Sequence, residues 1–258
     1  MRLINEALAS EPIKNTFRLG WEFITLNRKL TMTLLSTLIL LGFLSMLPIV
    51  GVVFTVFSSV LSQSIQIYLG RLVYNSENIE AFVSDIEQVE GETIVKHHFS
   101  TAMGAYLGWM VIASIFLLLF GVVAGSMGVT ESMIYDERAL IGILFSMALP
   151  LIFIVMILSY LQPLVQSNVI LSNGFNEGFL AVLTIFSPDL WKRAFQWSYF
   201  RYVSLFGILF LMMIFLFGMV LSQVMQVAVL NILVMVMAFY VMSMILTVSS
   251  MMARSTIE

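Results

Sequence analysis

The sequence contains no cysteine, which removes disulfides, thiolate metal sites and thiol nucleophiles at once. It has two histidines, His97 and His98, side by side, so neither a serine–imidazole pair elsewhere nor a three-histidine metal site can be assembled. Charge is scarce too. Charged residues make up 10% of the chain against 60% hydrophobic, too little polar surface for a soluble fold of 258 residues. Glycine-rich phosphate loops and basic nucleic-acid surfaces are also missing. Enzyme is therefore the least expected class, and no catalytic residue, cofactor, metal site or nucleic-acid partner is assigned.

What the chain does have is long uncharged runs. The one from Tyr202 to Ala253 would reach about 78 Å as a single helix, more than twice the roughly 30 Å hydrocarbon core, so it must fold back. Similar runs cover Leu30 to Gly70, Phe99 to Thr130 and Ala139 to Asn176. Breaks at Pro48 and Gly51, at Gln162 and Pro163, and at Gln223, Gln226 and Asn231 divide them. The spans predicted are 30–47, 50–71, 99–127, 139–162, 200–221 and 227–252. The fold class expected is all-α: a polytopic membrane helical bundle of six transmembrane helices plus interfacial amphipathic helices, one domain over residues 1–258. Strands are not expected, because a spanning strand alternates in polarity and these runs are uniformly apolar. A cleavable leader is not expected either, since Glu6, Glu11 and Glu22 precede the first run.

Orientation follows from the 12 lysines and arginines. With six spans and a cytoplasmic N-terminus, all of them except Arg138 fall on the cytoplasmic side, as the positive-inside rule demands. Both termini are then cytoplasmic, and in a bacterium the membrane is the inner one. The acidic patch around Glu131, Asp136 and Glu137, the Pro48 turn and the Gln223–Gln226 turn would face outward.

Two stretches have the pattern of helices lying on the cytoplasmic membrane surface. In the first, Ile13, Phe17, Trp21 and Ile24 make an apolar stripe beside Lys14, Arg18 and Glu22. In the second, Phe175, Phe179, Val182 and Phe186 make another. There Ser187, Pro188 and Asp189 supply a cap, a first-turn proline and an acidic first turn for a helix carrying Trp191, Lys192, Arg193, Phe195 and Trp197 into the fifth span. Such segments can read lipid headgroups or simply anchor spans, since tryptophan beside lysine or arginine is the usual boundary anchor. A third amphipathic stretch, Asn78 to Glu90, has an acidic polar side, which favours docking on protein over lipid. His97 and His98 follow it and suit the interfacial start of the third span.

Gly104 with Gly108, and Gly121 with Gly125, form two small-xxx-small pairs on different faces of the third span, suited to helix packing. Met235, Met237, Met242 and Met244 fit packing better than copper ligation, with no cysteine or histidine nearby. Gln63 and Gln66, Gln162, Gln166 and Asn168, Gln223, Gln226 and Asn231, and Arg201 are the polar groups near spans that could bond helices or line a solute path.

The segment with Phe17, Trp21, Asn27, Arg28 and Lys29, and the one from Pro163 through Gly174, Glu177, Gly178 and Phe179 to Trp191, resemble a loose group of bacterial membrane proteins. That group is related to the membrane domain attached to some glycerophosphodiester phosphodiesterases. The resemblance implies a six-helix fold and carries no catalytic residue, since the soluble phosphodiesterase domain is absent. The function expected is a non-enzymatic accessory, scaffold or lipid-interacting factor, with the bilayer and a protein at the cytoplasmic face as partners. The alternative is a small channel or passive transporter for a neutral or weakly polar solute.

Overall fold

The computed structural model describes residues 2–126, 137–224 and 228–258. Among these residues the regular elements are all helical: α1 (Arg2–Ser10), α2 (Pro12–Leu26), α3 (Arg28–Leu44), α4 (Gly51–Asn75), α5 (Ile79–Gln88) and α6 (Gly91–Ser126) come first. They are followed by α7 (Glu137–Leu171), α8 (Gly174–Leu183), a 3-10 turn (Thr184–Phe186), α9 (Pro188–Ala194), α10 (Trp197–Val224) and α11 (Ala228–Ser255). Five of them, α4, α6, α7, α10 and α11, contain segments long and apolar enough to cross a membrane. The sixth, α3, has 17 residues and rises about 25 Å, slightly less than a hydrocarbon core. The chain is an all-α polytopic bundle with five membrane-length helices, or six if the bent pair α2 and α3 counts as one span. Glu131, Asp136 and Gln226, expected on the outward side, lie outside the described residues.

The helix ends follow local chemistry. Asn27 separates α2 from α3, which are bent by 89° to each other. Its side-chain oxygen accepts from the Leu30 amide at 2.9 Å as the N-cap of α3, while its amide donates to the Ile86 and Val89 carbonyls at 2.8 and 3.1 Å. One side chain thus fixes the bend and ties it to α5. The α3–α4 turn falls at Pro48 and Gly51, as expected. Ile49, not Gly51, takes the left-handed conformation (φ 67°), a strained choice for a β-branched residue. Gly51 is needed because a Cβ there would sit 2.2 Å from the Ser45 carbonyl oxygen.

Three boundaries differ from those predicted. The third spanning helix begins at Gly91, running through His97 and His98 instead of starting at Phe99. The fourth does not stop at Gln162 and Pro163; α7 contains both Pro150 and Pro163 and continues to Leu171. A proline costs a helix one hydrogen bond, and packing against other helices can offset that loss inside a membrane bundle. The carbonyl that Pro163 leaves without its helical donor is that of Ser159; the neighbouring Tyr160 carbonyl accepts from the Tyr199 hydroxyl at 2.6 Å. The third difference concerns the helix beginning at Pro188, which ends at Ala194 and does not run into the span that starts at Trp197. Ser187 stands at its N-cap position without a side-chain capping bond.

The core is concentrated at one end of the bundle. Val60–Val73 of α4, Ile94–Ala105 of α6, Leu161–Ile170 of α7 and Tyr240–Ala253 of α11 supply most of the buried side chains, joined by Leu3, Ile4, Leu19, Phe23, Phe82 and Ile86. Contacts bring the ends bearing Arg71, Arg254 and Arg28 together with α1, α2 and α5, so this is the basic end. At the other end Leu117, Leu118, Val122, Phe153, Met156, Leu211 and Phe215 are exposed.

Candidate functional site at the basic end

Gln63 and Gln66 are three residues apart on α4 and share a face. That face meets α7, where Gln166 is 3% exposed. The Gln63 amide donates to the Gln166 side-chain oxygen at 3.2 Å, the Gln166 amide donates to Gln66 at 3.2 Å, and the Gln66 amide reaches the Ser62 hydroxyl at 3.4 Å. Each amide has partners within the cluster. Arg201, grouped with these glutamines as a possible path residue, is exposed on α10 and takes no part in it.

One helical turn from Gln66 toward the basic end, Arg71 clamps the C-terminus of α7. Its guanidinium donates to the Ile170 carbonyl at 2.7 Å, to the Ser172 carbonyl and to the Asn173 side-chain oxygen at 3.0 Å. These are the carbonyls a helix leaves without internal donors, and a cation beside them also opposes the helix dipole. From this clamp the chain turns into α8 through Gly174, which has φ 81°. The Glu177 carboxylate accepts from the Asn173 amide at 2.6 Å, and the Gly174 amide donates to the Thr101 hydroxyl at 2.9 Å.

The α8 segment was expected to lie along the membrane surface, and instead packs lengthwise against α6 in the most extensive helix pairing of the structure. Glycines make this possible. A Cβ on Gly104 would come within 2.0 Å of the Phe175 carbonyl oxygen, one on Gly108 within 2.8 Å of Val182, and one on Gly178 within 2.4 Å of the Thr101 carbonyl oxygen. Gly121 and Gly125 have nothing within 4 Å. The first glycine pair therefore packs a short helix, and the second packs no described neighbour.

The aromatic and basic candidates divide in the same way. Phe17 packs on Phe206 with ring centroids 5.8 Å apart, next to a bond between the Thr16 and Tyr202 hydroxyls at 2.8 Å. Trp191 turns inward, its indole N–H donating to the Ile185 carbonyl at 2.9 Å, and Phe179 is half-buried. Trp21 and Trp197 are 57% and 72% exposed, and Lys192 and Arg193 are exposed beside them. α5 buries Phe82 and Ile86 against the protein. His98 is buried against Tyr68 while His97 is exposed, and among the described residues no three His, Asp or Glu side chains form a metal-sized group.

No protein family, curated protein or solved structure matches this chain.

Sequence reasoning missed Asn27, Arg71 and Gly178 as organising residues. Gly178 had a readable signal, since Gly174 and Gly178 repeat the four-residue spacing of Gly104 and Gly108. Arg71 had none, because its acceptors lie about a hundred residues away in the sequence.

Proposed function

We propose that this chain is a non-enzymatic integral membrane scaffold or accessory protein whose working surface is the basic end. That end, with both termini, faces the cytoplasm, which in a bacterium makes the inner membrane its location. The reading is carried by one observation: Gln63, Gln66 and Gln166 satisfy one another across the α4–α7 contact. A solute pathway needs unsatisfied polar groups converging on a water-filled space. The layered helices α1, α2, α5, α8 and α9 give the basic end a surface for lipid and for a partner protein, with Trp21 and Trp197 at its margin.

A proteoliposome flux assay with small neutral solutes tests this. No solute-specific flux above protein-free vesicles is expected, with Gln166→Ala indistinguishable from wild type. Specific flux that Gln166→Ala abolishes would replace this reading with the channel or passive-transporter one.

A further inference from the structure

A cavity of about 290 Å³ lies between α7, the 3-10 turn, α9 and the last turn of α11. Its polar lining is Asn168, Thr184, Ser187, Asp189, Arg193 and Arg254. Arg254 is held in place: it donates to the Asn168 side-chain oxygen at 2.9 Å and to the Glu258 carboxylate at 2.5 Å. Asn168 in turn donates to the Thr184 hydroxyl at 3.1 Å. A guanidinium carries five N–H donors, so Arg254 keeps donors to spare. Arg193 is exposed, and its guanidinium has no partner among the described residues. Asp189 faces Lys192 at 3.7 Å. With Arg193, Arg254 and Lys192 against Asp189 and Glu258, the group is net positive.

The same chain segment carries exposed Phe186, Phe195 and Trp197 beside the cavity, apolar groups of the kind that lie among acyl chains at a membrane boundary. We propose that the cavity binds the headgroup of an anionic glycerophospholipid. The phosphodiester sits between Arg193 and Arg254, where guanidinium groups can make paired hydrogen bonds to phosphate oxygens. Ser187 and Asp189 meet the hydroxyls of the headgroup, and the aromatic side chains lie against its acyl chains. The size suits a compact group, being at the small end of ligand cavities, which run from about 300 to 1,000 Å³. A second cavity, of about 170 Å³ between α1, α2 and α5, lacks this bias. Its charged lining residues Glu6 and Arg18 are already paired with Arg2 and Glu22.

The inference rests on the proposed function for the lipid-facing role of the basic end. A positive flux assay would remove the scaffold reading and leave this site standing. The site has its own test: native mass spectrometry of the full chain, released from nanodiscs containing equal phosphatidylglycerol and phosphatidylcholine. Wild type should retain phosphatidylglycerol at least tenfold over phosphatidylcholine. Arg193→Gln should reduce that ratio several-fold, and Arg193→Gln with Arg254→Gln should bring it to one. Because Arg254 also bonds to Asn168, thermal unfolding in phosphatidylcholine nanodiscs checks the double variant, and Arg193→Gln, altering an exposed side chain, stands alone if the double variant fails to fold. Equal retention of the two lipids by wild type, or unchanged selectivity in Arg193→Gln, would overturn the site. Millimolar inorganic phosphate should not displace phosphatidylglycerol; displacement at that concentration would reassign the cavity to a free anion.

Discussion

The two ends of this bundle are joined by the same long helices, yet they are built differently. At the basic end, glycines bring α6 and α8 into backbone contact, three glutamines close on one another, and Arg71 and Asn27 each satisfy backbone carbonyls of a distant element. At the other end α6 and α10 present leucine, valine, methionine and phenylalanine outward, and Gly121 and Gly125 have no neighbour within 4 Å among the described residues. Apolar surface needs no protein partner in a bilayer, because lipid chains are as apolar as leucine. Polar groups and unpaired carbonyls do need one, so specific packing collects where they are.

The largest expected contrast is between the glycine pairs. Gly104→Val should destabilise the protein by at least ~3 kcal/mol in thermal unfolding in detergent, because backbone on α8 cannot yield to the new side chain. Gly121→Ala and Gly125→Ala should stay within about 1 kcal/mol of wild type, on the stabilising side, since alanine is the better helix former. Equal losses at both pairs would erase the distinction between the two ends.

Arg71→Ala should cost about 2–3 kcal/mol, as hydrogen bonds from a charged donor to otherwise unpaired carbonyls are among the stronger ones. Arg71→Lys should recover less than half, because an ammonium lacks the planar fork that reaches three acceptors. Full recovery by lysine would mean that charge alone holds the α7 terminus.

Gln166→Leu should cost roughly 1–2 kcal/mol by leaving the half-buried Gln63 donor and Gln66 acceptor unpaired. Replacing Gln63, Gln66 and Gln166 together by leucine should recover most of that loss, since no orphaned group remains. A triple variant less stable than the single one would show that the cluster serves something beyond packing. The smallest effect is expected at the exposed end: Leu118→Ala, at a side chain 71% exposed, should change unfolding by under ~0.5 kcal/mol in detergent. A larger change would reveal a partner covering that face.

The all-helical fold was legible because hydropathy reports directly on what a bilayer accepts. The break at Pro48 was visible for the same reason, whereas Pro163 misled: a proline reads as a helix end, yet α7 runs through it to Leu171. Gln63, Gln66 and Gln166 were each visible as polar groups in apolar surroundings, and their convergence was not, since Gln66 and Gln166 are a hundred positions apart. The cavity at Arg193 and Arg254 was equally hidden. Its two arginines belong to different helices, and although Arg193 was visible beside Trp191, its meeting with Arg254 was not.

What the sequence determined by itself was the solvent: uncharged runs long enough to span a membrane. Those properties are local sums along the chain, so no partner need be known to read them. The tertiary structure decided which polar groups answer one another. Gly104 received α8 and Gly121 received no neighbour among the described residues, although both belong to the same spacing motif. The reason is physical: a hydrogen bond or a backbone contact is a property of two places at once, and the positions that meet are fixed by how the helices fold back.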